Sequence, residues 1–349
     1  MKILIIQRII PEYRIDLFNE LGKSLENRDT ITVCHSGISV LERNKHFIEI
    51  VLKENKVFGF LYIKDLFNIL NKYDIIIIPS NIRYIMSFLF AVFKKKKIYM
   101  FGHIHSRSRI SKLLNYIRWK MASVSSGYLF YTIAQMMEYQ KAGYPRDKSF
   151  HFGNTIIIDN AEYNSTLTRS QFVYLGRVQK RKEILDLIVA YADYVKIKRN
   201  VGGIIALVII GGGDELSLIK KAVDEMKLND HVRFIPETYD NNEIKTYMQK
   251  AIASICPGAV GLSIINSFSY GVPFVTSKNK CHGPEYSHLQ SEYNGIIYNG
   301  TVSELTKILC YFHDNKRASF ELGRNAYIYY KKHLTSSVCI ETFEEILNQ

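Results

Sequence analysis

Short apolar runs alternate with longer segments of 3.6-residue periodicity along the whole sequence, a pattern that few folds accept. Runs rich in Ile and Val, four to eight residues long, read as strands covered on both faces. The amphipathic segments between them read as crossover helices, so the sequence predicts βα units on parallel sheets. In the first half the strands are KILIIQ (2–7), DTITVCH (29–35), DIIIIPS (74–80), KIYMFGH (97–103) and GYLFYT (127–132); YRIDLFNELGKSLEN (13–27) and NIRYIMSFLFAVFKKK (81–96) are the clearest helices. In the second half they are FVYLGR (172–177), GIIALVIIGGG (203–213), VRFIPE (232–237), AIASICPG (251–258) and PFVTSK (273–278). Helices KEILDLIVAYADYVKIK, DELSLIKKAVDEMKLN and NNEIKTYMQKA intervene.

At 349 residues and 47% hydrophobic, the chain can fill two cores of about 150 residues each. Periodicity lapses and polar residues cluster from His151 to Gln171, which places the joint there. The expected division is residues 1–160, then 161–330, then an amphipathic helix within 331–349 that could return to the first domain. No sequence repeat or low-complexity segment is present.

Five cysteines, Cys34, Cys256, Cys281, Cys310 and Cys339, are scattered with no CxxC pair. Neither a disulfide framework nor a zinc cluster is suggested, and the reading is a reducing cytoplasm. MKILIIQRIIPEYR breaks at Arg8, too early for a signal peptide, and reads as a first buried strand. Residues 75–93 are the best membrane-span candidate, but Pro79, Asn81 and Arg83 interrupt them, so a buried strand followed by a buried helix is expected instead.

The formal net charge is +13, and residues 1–150 own nearly all of it, with 24 basic and 12 acidic side chains against 22 and 21 in the rest. Between Asp74 and Glu138 lie ten Lys or Arg and no carboxylate. A one-signed field of that length implies an anionic partner or a solvated basic face. No nucleic-acid-binding signature accompanies it, so nucleic acid is not expected as a partner. YIMSFLFAVFKKKK sets apolar residues beside four lysines, which suits an anionic membrane surface.

In parallel sheets ligands meet the carboxyl ends of the strands. There LGRVQKRKE places Gly176 and Arg177 after a strand and Lys182 at the next helix start, with Lys180 and Arg181 alongside. Two cations and a helix N-terminus aimed at one spot make a diphosphate clamp; an ordinary basic turn has the same spacing. IIGGGDE (209–215) fails the dinucleotide fingerprint because position 216 is Leu, and reads as a tight strand-to-helix turn. In PGAVGLSIINSFSYGVP (257–273), Gly258 and Gly261 permit close backbone approach, and the amides of Val260, Gly261, Leu262 and Ser263 would open a helix toward an anion. His103, after the fourth strand, and Glu285, in HGPE, are titratable groups at strand ends.

GR followed by K and LIVAY, VIIGGGDE, VRFIPETYDNNEIKTYMQKA, PGAVGLSIINSFSYGVPFV and GPE…NG, spread over residues 171–300, together resemble the family-four retaining glycosyltransferases of GT-B fold. IPEYR, FGHIHSR and YTIAQMMEYQKAGYPRDKSFHFGNTI are similar to the N-terminal segments of bacterial polysaccharide-assembly members. The resemblance implies an α/β fold of two Rossmann-like doubly wound domains facing across a cleft, the second binding a nucleotide sugar and the first an acceptor. It implies that Gly176, Arg177 and Lys182 hold the donor diphosphate, that Ile235 and Pro236 face the base, and that Gly261 and Leu262 contact phosphate or sugar. His103 would stand between donor sugar and acceptor, and His105, Arg107 and Arg14 would line the acceptor side. The family's E-x7-E pair falls at Gly258 and Asn266, so both acids are absent; Asn266 can still hydrogen-bond a ribose hydroxyl.

No Asp-x-Asp pair occurs, so metal-independent sugar transfer without any cofactor is expected, Lys and Arg acting in the metal's place. The acceptor expected is a glycan or lipid-diphosphate-linked glycan, the process capsule or O-antigen assembly, and the location the cytoplasm, peripheral on the inner face of the cell membrane. The alternative is a non-catalytic nucleotide-sugar-binding subunit.

Overall fold

The structure is a computed structural model that describes residues 1–43, 46–57, 60–63, 65–84, 97–102, 112–166 and 168–349. The helix expected over 81–96 falls mostly outside the described residues. Two compact units divide the chain: residues 1–157 with 335–349, and residues 158–334.

The first unit is built on seven parallel strands, β1 (Lys2–Ile6), β2 (Thr30–His35), β3 (Ile48–Val51), β6 (Ile75–Pro79), β7 (Lys97–Phe101), β8 (Gly127–Phe130) and β9 (Ser149–His151), in the order β3-β2-β1-β6-β7-β8-β9. A small antiparallel hairpin, β4 (Glu54–Val57) with β5 (Phe60–Ile63), stands apart from it. Period-2 alternation sorts each central strand between two cores. Ile3 and Ile5 of β1 and Ile75 and Ile77 of β6 face α1 (Glu12–Leu25), where Phe18 and Leu21 meet them, and α11 (Ser336–Asn348), which adds Phe343 and Ile346. Leu4, Ile6, Ile76 and Ile78 point to the opposite face, against Leu66 and Leu70 of α2 (Leu66–Leu70), Met121 of α3 (Lys112–Val124) and Tyr139 of α4 (Ile133–Lys141). Both faces are covered, which is why the strands read as unbroken apolar runs.

The helix α11 is joined to the first unit by polar contacts as well as packing. Thr342 Oγ1 donates to His151 O (2.6 Å), Cys339 Sγ to Phe152 O (2.8 Å), and Glu344 pairs with Arg28 (3.3 Å).

The second unit has six parallel strands, β10 (Gln171–Leu175), β11 (Ala206–Ile210), β12 (Val232–Ile235), β13 (Ala251–Ile255), β14 (Phe274–Ser277) and β15 (Gly295–Tyr298), in the order β12-β11-β10-β13-β14-β15. Its helices are α5 (Ile184–Lys198), α6 (Leu216–Glu225), α7 (Asn241–Met248), α8 (Ser263–Ser269), α9 (Val302–Asp314) and α10 (Lys316–His333). Thr301 caps α9 by accepting from Glu304 N (3.2 Å), and Asp240 caps α7 through Asn242 N (2.8 Å). The strand order reverses between β10 and β13, and the carboxyl edge at such a switch point is where ligands of open α/β sheets bind. No helix among the described residues is long and apolar enough to cross a membrane.

Strands β3, β9 and β15 and the β4–β5 hairpin are not among the strands expected from sequence. Each is three or four residues long. β3, β9 and β15 are three of the four sheet margins, where one neighbour is missing and a long apolar run is not required; the fourth, β12, is expected from the sequence.

Candidate functional site

The loop after β10 continues the ladder beyond the strand: Gly176 N donates to Ile210 O (3.0 Å) and Val178 N to Gly212 O (2.8 Å). Gly211 and Gly213 have φ of 142° and 150°, and a Cβ on either would lie 2.0 Å from Gly176 O or 2.3 Å from Val178 O. The triple glycine therefore serves backbone-to-backbone packing of two loops, as the tight-turn reading expects. Gly211 N also donates to Ile235 O (3.0 Å), which ties the end of β12, with exposed Pro236 after it, to the same edge.

Past Val178 a single 3₁₀ turn, Lys180–Lys182, leads into α5 through Glu183, which is left-handed at φ 53°. This turn is docked on the loop after β13. Gly258 N donates to Lys182 O (3.0 Å) and Ala259 N to Arg181 O (2.8 Å), while Lys182 Nζ donates to Ala259 O. A Cβ at Gly258 would stand 2.2 Å from Arg181 O and 2.6 Å from the Lys182 carbonyl carbon. That contact gives the physical reason for glycine at this position: no side chain fits between the two loops.

Lys182 is 6% exposed and forms no ion pair among the described residues. One carbonyl is a poor exchange for the water an ammonium loses, so the site favours an external anion. Arg177, exposed on the same strand end, lies beside the Tyr239 phenol, which donates to Glu237 Oε1 (2.7 Å). Glu183, the acid nearest in sequence, is paired instead with Lys280 (2.6 Å).

The turn from Pro257 to Gly261 is fixed from several directions. Ser277 Oγ donates to Pro257 O (2.8 Å) and Thr276 Oγ1 to Cys256 O (2.7 Å). Val260 N donates to His282 Nδ1 (3.2 Å) and Val260 O accepts from Gly283 N (3.2 Å). The Val260 amide is thus occupied, which corrects the expectation that it would meet a ligand. Gly261, Leu262 and Ser263 amides have no acceptor among the described residues. The helix they open, α8, has seven residues, so amide hydrogen bonds rather than a long dipole would supply the attraction. Ser263 Oγ and Asn266 Oδ1, one helical turn apart and buried, also lack a described partner. Glu285 is buried in the 3₁₀ turn Pro284–His288, its carboxylate folded over Gly283.

His282 was not singled out in the sequence, although it lies in the strand-end stretch KNKCHGPE. Its Nε2 donates to Ser277 O (2.7 Å) and its ring stacks on Tyr286 at 4.1 Å and 5°. Burial, with Lys182 and Lys280 nearby, holds its pKa below the ordinary histidine value despite the opposing pull of Ser277 O and Glu183.

The structure therefore gathers Gly176, Arg177, Lys182, Gly258, Val260, Gly261, Leu262 and Ser263 at one edge of the second unit. Asn266 lies one turn into α8, and Glu285 joins through the Gly283–Val260 contact. His103, His105 and Arg107 lie outside the described residues. Arg14 is in the first unit and 6% exposed; its Nη2 donates to Asn154 Oδ1 (3.0 Å), and Tyr13, Phe101 and Tyr131 surround its guanidinium at 5.8–5.9 Å. Its Nε has no described partner, and it lines a small cavity with Gln7, Phe18 and Phe152. Arg14 is thus a buried cation that borders that cavity.

Two Rossmann-like α/β units, the second with a cationic, amide-lined turn at its switch point, make up the architecture of the GT-B fold. Residues 157–328, about half of the chain, match the family of glycosyl transferases group 1. That match falls almost wholly within the second unit, residues 158–334. Among solved structures it is similar to Anabaena HepE in complex with UDP, at TM-score 0.77 and 15% identity over 100% of both chains. It is similar also to the lipopolysaccharide outer core galactosyltransferase WaaB, at 0.68 and 16% over 99% of each, and to sucrose-phosphate synthase from Thermosynechococcus elongatus, at 0.70 and 13% over 100% of this chain and 98% of that one. No curated protein sequence matches the chain significantly.

Proposed function

We propose that the protein transfers a sugar, with retention at the anomeric carbon, from a nucleotide-diphosphate donor to a glycan or lipid-diphosphate-linked glycan during assembly of a surface polysaccharide such as capsule or O-antigen. The observation that carries this reading is Lys182: a buried ammonium with no counter-ion among the described residues, held against a turn with three amides that have no described acceptor. A donor diphosphate would supply the missing anion, and Lys182 and Arg177 would then stabilise the charge that grows on the leaving nucleotide. HepE was solved with UDP and with UDP-glucose, which supports a nucleotide sugar as the ligand.

Asn266 Oδ1 can only accept, so its partner would be a donor hydroxyl. Ile235 and Pro236 would flank the base and Glu285 the sugar, with His103, His105, Arg107 and Arg14 serving the acceptor side. We assign the diphosphate charge to Lys and Arg, without a metal. The basic excess of residues 1–150 fits an anionic acceptor at the inner face of the cell membrane, where the protein would sit peripherally.

Arg177→Ala tests the proposal: transfer from the donor sugar should fall at least tenfold, because a charge-assisted bond of about 1.5–3 kcal/mol is removed. Unchanged transfer would remove Arg177 from the donor clamp, and a parent that binds nucleotide sugar but transfers nothing would leave only the non-catalytic role.

A further inference from the structure

His282 occupies a position that the proposed chemistry does not use, yet its ring touches the turn on which that chemistry depends. A peptide N–H can only donate and a carbonyl can only accept. With Val260 N–H at Nδ1 (3.2 Å) and Ser277 O at Nε2 (2.7 Å), the one arrangement that satisfies both is the neutral imidazole with its proton on Nε2. The ring is held flat against Tyr286 (4.1 Å, 5°), so its two nitrogens keep fixed directions. Val260 lies between Ala259, whose carbonyl receives Lys182 Nζ, and Gly261, the first of the three open amides. Gly283, the next residue after His282, takes the Val260 carbonyl (3.2 Å). Two adjacent residues therefore grip both polar groups of the Val260 backbone.

We propose that His282 is a positioning residue for the donor: by accepting the Val260 N–H it sets the direction in which the amides of Gly261, Leu262 and Ser263 and the Lys182 ammonium meet a nucleotide diphosphate. The inference rests on the donor-site reading above. It assigns His282 no contact with the reacting atoms. The lowered pKa of the ring is in keeping with the neutral form the geometry needs.

Two substitutions separate the two hydrogen bonds. In His282→Asn the Oδ1 falls where Nδ1 was, so the Val260 N–H keeps an acceptor while the link to Ser277 is lost. In His282→Gln the terminal amide reaches Ser277 O and the acceptor for Val260 is lost. The assay is calorimetric affinity for UDP and GDP on the full chain, the tighter nucleotide being taken forward, alongside the melting temperature of each unliganded variant.

His282→Gln should bind about tenfold more weakly than the parent, the effect of one backbone donor left unmatched. His282→Asn should recover to within about threefold, although it has lost the other bond, and the unliganded melting temperatures of the two should agree. Equal affinities for Gln variant and parent, or an Asn variant as weak as Gln, would overturn the assignment. Lys182→Ala run in parallel separates the levels. If it weakens nucleotide binding while His282→Gln does not, only the positioning role fails; if neither nucleotide binds the parent, the donor-site reading fails with it.

Discussion

Replacing Lys182 by Met removes the ammonium but keeps a stem of similar length in the same groove, so charge is tested apart from volume. In the unliganded protein two effects oppose one another. Ala259 O loses its donor, at a cost of about 1–3 kcal/mol for a buried acceptor left unmatched. Against this, an ammonium that is 6% exposed and without an ion pair among the described residues no longer has to be desolvated, which returns a comparable or larger amount. The melting temperature should therefore stay within about 4 °C of the parent or rise. With nucleotide present the balance changes sign. One charge-assisted bond to phosphate, about 1.5–3 kcal/mol, corresponds to a 10- to 150-fold loss of affinity. If the ammonium also meets charge that develops on the leaving group, kcat should fall by a further factor of about 10². Thermal shift with and without nucleotide, and steady-state transfer from a nucleotide sugar, measure the two halves separately. A Met variant that melts far below the parent and loses activity only in proportion would make Lys182 a structural pin and refute the reasoning.

Gly258→Ala should lower stability by about 1–3 kcal/mol or more, since its Cβ would stand 2.2 Å from Arg181 O, and denaturant titration would show it; a variant as stable as the parent means the two loops are not packed as described. Glu49, buried at the edge of the first sheet, is pushed up by burial, but hydrogen bonds from Val40 N, His35 and Ser39 outweigh this and hold its pKa below the ordinary carboxylate value. Its contribution should be complete above about pH 4.3 and be lost as pH falls through the lower folded value. Glu49→Gln should lose about 1–3 kcal/mol at pH 7 and show a smaller acid-side decline in melting temperature than the parent. Transfer should persist in excess EDTA, and complete loss that added Mg²⁺ or Mn²⁺ restores would show that a metal shares the diphosphate.

The central strands of both units were legible because they are covered on two faces and must be apolar throughout, as Ile75–Ile78 are. Three of the four margins were not: Ile48–Val51 has exposed ends and half-buried middle residues, and such a segment carries no unbroken apolar run. The triple glycine could be read as packing because its spacing failed for a ligand, and the contacts of Gly211 and Gly213 supply the reason. Arg177 and Lys182 could be picked out by charge at a strand end. Their different surroundings, one exposed beside Tyr239 and one buried against Ala259, depend on loops 60 to 80 residues away in sequence. His282 stands at a strand end in HGPE, but no local pattern shows that it accepts from a backbone amide at position 260.

The course of the chain has a consequence for synthesis. Residues 158–334 form their unit from one continuous stretch, whereas the first unit is interrupted and takes its last helix from residues 336–348. As the chain emerges from the ribosome, the first unit must wait for a helix made after the whole of the second. Until α11 arrives, Phe18 and Ile5 lack the cover that Phe343 and Ile346 provide, and an apolar groove stays open while the later unit is already complete. The order of maturation is thereby the reverse of the order of translation, and the helix that ends the sequence is the cover that closes its beginning.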